Sequence, residues 1–158
     1  MNVDMINSFI NATVNALTTM AMLTVTRGSP YIKTTDENEF NRDISAIIGM
    51  AGDANGWVAF CLQRQLAVKI AANMLGEEKQ EIDADVRDAV GEIVNMIAGG
   101  AKGELTQRGF SFKIALPTVV IGDNHELSRV KDFPYIVIPF ATEEGNFTVE
   151  VCLKTNKI

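Results

Sequence analysis

Residues 83–105 read DADVRDAVGEIVNMIAGGAKGEL. At about 100° per residue, Val86, Val90, Ile93, Val94, Ile97 and Ala101 fall on one side of a helix. Asp85, Asp88, Glu92, Asn95 and Gly99 fall on the opposite side. Asp83 stands where an N-cap is wanted, because its carboxylate can accept from a backbone N–H of the first turn. The apolar side must cover something, and the runs on either side of the helix supply strands for it to cover.

Before the helix, residues 45–51 form a short apolar run, Gly52-Asp53-Ala54-Asn55-Gly56 is turn chemistry, and 57–62 reads as the return strand. Residues 66–75 form a helix with Leu66, Ile70 and Met74 on its apolar side, and Gly76 ends it. After the long helix, residues 112–121 read as one strand and 122–132 as a polar loop. Residues 135–141 and 147–153 are two further strands joined by a turn at 143–146. Pro139 marks its strand as an edge or a bulge, since it has no N–H to give. At the N-terminus, Val3, Ile6, Ile10, Val14, Leu17 and Ala21 recur at helical spacing, and the residues to Lys33 form a strand interrupted at Gly28-Ser29-Pro30. Helix, strands, two helices, strands is the pattern of an α+β fold, with long helices packed on a largely antiparallel sheet. The 158 residues fit a single domain, 1–158.

The charge narrows the partners. Fourteen basic against 20 acidic residues leave −6, which repels a phosphate backbone and makes nucleic acid an unsuitable partner. No basic run suits an anionic membrane. Asp4, Asn7 and Asn11 interrupt the first helix's apolar pattern, so it reads as neither signal peptide nor membrane span. The cytoplasm is the expected compartment. Cys61 and Cys152 both lie in strand-like runs and read as reduced thiols serving as small core residues. The lone His125, in GDNHELSR, has no Cys or second His near it in sequence and reads as a surface residue. The Ser residues have no nearby His in sequence. Met20, Met22, Met74 and Met96 read as core filler.

The outward face of the long helix is the unusual feature. Glu92 and Asn95 are three apart, hence neighbours on the helix surface. Asn is a poorer helix former than Lys, Gln or Glu. Gly99, one turn on, costs roughly 1 kcal/mol relative to Ala. The plain reading is a solvated polar stripe. The alternative is a bare surface, beside two polar side chains, that another molecule approaches closely. Gly100 can serve helix packing instead.

Gly91-Glu92-Ile93-Val94-Asn95-Met96, followed by Ala98-Gly99, closely resembles the signature of the CheC/CheX/FliY family of chemotaxis phosphatases. Leu116-Pro117-Thr118-Val119-Val120 looks like that family's strand after the motif helix, and the resemblance runs over nearly the whole chain. It implies removal of the phosphoryl group from the aspartate of a phosphorylated, CheY-like receiver. On that model Asn95 orients the attacking water, and Glu92 pairs with the receiver's lysine. Asp88, Met96 and Gly99 would touch the partner. The chain would bind no metal or cofactor of its own, and the Mg²⁺ would belong to the receiver. Asn11-Ala12-Thr13-Val14-Asn15 echoes the motif in the first helix but has Ala12 where the motif has Glu92. One complete motif resembles the CheX branch, for which the resemblance implies a homodimer. An edge strand such as 135–141 would serve for its pairing. A receiver-binding adaptor without hydrolysis and a purely structural domain are the competing readings.

Overall fold

The computed structural model describes residues 3–35 and 40–156. Among these residues three helices, α1 (Val3–Met20), α2 (Arg64–Leu75) and α3 (Ala84–Gln107), pack on one antiparallel sheet. Its strands are β1 (Thr26–Arg27), β2 (Tyr31–Ile32), β3 (Ile44–Gly52), β4 (Ala54–Leu62), β5 (Phe112–Ile114), β6 (Thr118–Ile121), β7 (Tyr135–Thr142) and β8 (Gly145–Thr155). The order across the sheet is β1-β7-β8-β4-β3-β5, with β2 also on β7 and β6 also on β3.

Alternation explains the layers. Ile44, Ala46, Ile48 and Met50 of β3, Val58, Phe60 and Leu62 of β4, and Phe147, Val149, Val151 and Leu153 of β8 face the helices and are buried. From above, α3 contributes Val86, Val90, Ile93, Val94, Ile97 and Ala101, the side assigned from its periodicity. Asp83 caps α3, its carboxylate accepting from Val86 N at 3.0 Å. Gly76 closes α2 in the left-handed conformation, where a missing Cβ costs nothing.

Several boundaries differ from the sequence reading. The β3–β4 hairpin is tighter than a five-residue turn. Gly52 is held in the sheet by Phe112 of β5, and Ala54 by Thr155 of β8, so Asp53 alone lies outside the strands. Gly56, at φ 145°, lies so close to β8 that a Cβ would fall 1.9 Å from the Cys152 carbonyl oxygen. In α1 the buried residues are Met5, Ser8, Phe9, Ile10, Ala12, Thr13, Ala16 and Leu17, while Val3 is 73% exposed and Val14 is also exposed. Ile10, Leu17 and Ala21 of the expected stripe are buried and Ile6 packs on the core, but Val3 and Val14 are not part of it, because small residues line the side where α1 meets α3. Met20 and Met22 are exposed rather than core filler, with Met22 at φ 56° where the chain leaves the helix. Met74 and Met96 do pack on the core. Residues 135–141 are not a free edge: β1 and β2 cover β7, with Pro139 at the gap between them, its carbonyl accepting from Gly28 N at 2.8 Å.

The expected single strand over 112–121 is two. Met50 pairs with Ile114 and Ile47 with Thr118, so Ile48 and Gly49 on β3 face Ala115, Leu116 and Pro117. The extra residue is a β-bulge. Ala115 still donates to Gly49 O at 3.0 Å, after which the chain leaves the ladder.

The helix-free face of the sheet is covered by 40–43 and 122–133. Phe40 and Leu127 pack on Ala59 and Cys61, and Phe133 on Tyr135 and Cys152. Both cysteines are free and buried, as their positions in strands implied.

Candidate functional site

Helix α3 runs beside α1 in the opposite direction. Asn11 of α1 donates to Glu104 at 3.4 Å, and Arg108 beyond α3 lies 3.4 Å from Asp4. The two glycines after the motif part ways at this contact. A Cβ on Gly100 would lie 3.1 Å from Ala12 Cβ, so Gly100 lets α1 and α3 close. A Cβ on Gly99 would meet nothing within 4 Å. Gly99 therefore serves no internal packing.

Asp88, Glu92, Asn95 and Gly99 form one exposed stripe on α3. Among the described residues, Asp88, Glu92 and Asn95 have no hydrogen-bond or ion-pair partner within the chain. Met96 is half-buried, its side chain packed on the core beside the stripe. The stripe has a firm base, since Ile93, Val94, Ile97 and Ala98 are fully buried beneath it. On its other flank lies the bulge: the Cβ position of Gly91 is 3.8 Å from Pro117 and 3.7 Å from Val119. A rigid helix thus offers a carboxylate and a carboxamide, one turn apart, to whatever approaches.

The echo in α1 has no such geometry. Asn15 is exposed, but Ala12 is buried against Gly100. A glutamate at position 12 would point into the helix pair rather than outward.

Two clusters elsewhere were missed from sequence. Ser45 and His125, far apart in the chain, meet at 2.6 Å, and His125 Nδ1 donates to the Gly122 carbonyl at 2.8 Å. His125 is therefore half-buried and held by the sheet, not a plain surface residue. Ser45 is fully buried, so no substrate reaches its hydroxyl. Beside it, Glu150 lies at zero exposure on the helix-free face. Arg42 is paired with it at 2.8 Å, Thr148 donates to it at 2.6 Å and Tyr135 at 2.5 Å. Burial alone would raise the Glu150 carboxyl's pKa. The Arg42 charge and the donated hydrogen bonds outweigh burial and hold it below the usual glutamate value. Arg42 also donates to Cys61 Sγ at 3.2 Å. Burial first, then the Glu150 charge, push that thiol up to about 12, so it is an inert core residue. Sequence gave no sign of this cluster, because strand alternation treats Glu150 as a residue facing water. Among the described residues no three His, Cys, Asp or Glu side chains converge to hold a metal ion. No described helix is long and apolar enough to cross a membrane.

Comparison with known proteins places this arrangement. The structure is similar to a CheC-like superfamily protein from Shewanella sp. PV-4, with a TM-score of 0.90 and 37% identity over 98% of this chain and 99% of that one. The helix-on-sheet architecture is thus that of the CheC-like superfamily. Residues 44–141 match the family model for the chemotaxis phosphatase CheX, and the chain belongs to that family. It is 25% identical to the CheY-P phosphatase CheX of Thermotoga maritima, over 98% of this chain and 99% of the relative. The fold also matches CheX of Borrelia burgdorferi, whose structure is a complex with CheY, BeF₃ and Mg²⁺, at a TM-score of 0.80 and 24% identity over 97% and 99% of the two chains.

Proposed function

We propose that this chain dephosphorylates the aspartyl phosphate of a CheY-like receiver, with Asn95 and Glu92 completing a site that the receiver mostly supplies. The observation that carries this reading is the pair itself: two exposed polar side chains on one rigid turn of α3, unpartnered within the described residues, beside the open surface at Gly99. Family membership supports it, and so does the relative named a CheY-P phosphatase.

The chemistry asks little of this chain. An acyl phosphate is already activated, so acceleration comes from positioning water in line and excluding unproductive geometry. The Asn95 carboxamide both accepts and donates a hydrogen bond, so it holds a water without adding negative charge near the phosphate. The Glu92 carboxylate, one turn away, meets the receiver's lysine and sets the register. Asp88 and the edge of Met96 border the contact, and Gly99 keeps the surface low enough for close approach. The Mg²⁺ is the receiver's own. The cytoplasm is the compartment this partner requires. A homodimer belongs to the same reading. Val3, Ile6, Ile10, Tyr31, Ile32 and Ile136 border an apolar groove that a second copy would cover.

The test is the decay of a phosphorylated cognate receiver in Mg²⁺, with and without the protein. Wild type is expected to speed phosphate loss. Asn95→Ala is expected to lower that acceleration by about 100-fold or more, the order seen when a positioning group is lost. Unchanged decay despite binding would convert the reading to an adaptor.

A further inference from the structure

The β5–β6 bulge has a consequence beyond the catalytic pair. Before the bulge, even-numbered residues face the helices: Phe112 and Ile114 lie opposite Gly52 and Met50. After it, odd-numbered residues do so: Val119 lies opposite Ala46. Pro117 takes the helix-side place against Gly91. Leu116 is displaced outward and stands 88% exposed, more than any other large apolar side chain among the described residues.

Isolated exposed leucines are common and need no account. This one differs in its position and its rigidity. Its neighbour Pro117 lies beside Gly91, the residue immediately before Glu92, where an added Cβ would stand 3.8 Å from the proline ring. A following proline restricts Leu116 to extended backbone, and Ala115 before it is still bonded into the ladder, so Leu116 has little backbone freedom. Bulges occur next to active sites, where they re-aim a side chain. Meanwhile the stripe of Asp88, Glu92, Asn95 and Gly99 has almost no apolar surface to give a partner. A few residues that fill desolvated pockets carry most of an interface's affinity, ringed by near-neutral contacts that exclude water.

We propose that Leu116 is the apolar anchor that seats the phosphorylated receiver against α3, so that it sets affinity for the substrate and not the chemical step. The proposal rests on the receiver-phosphatase reading above. Leu116 enters an apolar recess on the receiver beside its phosphorylation site, and the bulge holds it at a fixed offset from Glu92 and Asn95.

Initial rates of phosphate loss, measured against the concentration of phosphorylated receiver, separate affinity from chemistry. Leu116→Ala is expected to raise KM roughly tenfold, as loss of most of a buried leucine's apolar contact would. Leu116→Asp is expected to raise it further, with kcat within about twofold of wild type in both. Val130→Ala, which trims an exposed aliphatic side chain in the loop over the helix-free face, is the control and should change neither. An unchanged KM for Leu116→Ala, or a fall in kcat alone, would overturn the proposal while leaving the phosphatase reading intact. Titration with the beryllofluoride-loaded receiver reads docking independently of hydrolysis. If wild type binds it without accelerating decay, weaker binding by Leu116→Ala upholds the anchor although the phosphatase reading falls. Equal binding there removes the anchor too.

Discussion

Glu150 and Glu92 are the same residue type in opposite circumstances. Glu150 is fully buried, and Arg42, Tyr135 and Thr148 meet both of its oxygens. Glu92 is exposed, and no described residue meets it. A buried carboxylate must be fully partnered, or the cost of taking it out of water is not offset. Its partners therefore belong to the fold, and nothing is left to offer a ligand. An exposed carboxylate with no partner adds little to stability. Paired with an asparagine that weakens its own helix, it is available to something outside the chain. The buried cluster ties the loop at 40–43 to the sheet; the exposed pair is presented by a helix that the core holds still.

The sharpest way to break this contrast is to disturb Glu150. Glu150→Gln leaves the Arg42 charge buried beside a neutral group and is expected to cost about 3–5 kcal/mol, read as a large fall in Tm. Replacing Arg42 and Glu150 together by methionine should cost less, since no charge is then stranded and only the Tyr135 and Thr148 hydroxyls lose their acceptor. The pH dependence has a definite sign. The folded-state pKa of Glu150 lies below its unfolded value, so its contribution is fully present above the usual glutamate range. It is lost as pH falls through the depressed value. Acid melts of wild type should therefore steepen below about pH 4, and those of the double variant should steepen less.

Asn95→Ala should do the reverse of Glu150→Gln. It removes a poor helix former from an exposed turn, so the fold should gain up to roughly 0.5 kcal/mol while turnover collapses. A variant that lost both stability and activity would place Asn95 with Glu150, among the groups that hold the fold.

The two glycines refine the comparison within one helix. Gly99→Ala meets open space and should stabilise by about 0.5–1 kcal/mol, while hindering receiver approach and so weakening turnover. Gly100→Ala gains the same helix propensity but presses on Ala12, so it should lower Tm relative to Gly99→Ala and leave receiver binding unchanged. Thermal melts paired with binding titrations read both differences.

Much of this was legible in the sequence for one physical reason: α3 buries a full apolar side against a sheet, so its 3.6-residue period is clean and its outward residues stand out. The buried side of α1 was read only in part, with Ile10, Leu17 and Ala21 right and Val3 and Val14 wrong, because Ala12, Thr13 and Ala16 face another helix, where small residues substitute for large ones. The bulge at Leu116 was invisible, since Phe112 to Ile121 alternates well enough for one strand and only the pairing to β3 reveals the extra residue. Glu150 was hidden because alternation cannot tell a face covered by loops from a face open to water. His125 found Ser45 only through the sheet's register, which no local pattern records.

Binding and turnover of the same receiver by Asn95→Ala decide whether the exposed amide on α3 takes part in the chemistry. The variant should bind the beryllofluoride-loaded receiver as tightly as wild type does, yet barely speed loss of phosphate from the phosphorylated receiver. Wild-type turnover by the variant would contradict the account, because the exposed amide on α3 would then have no part in the chemistry.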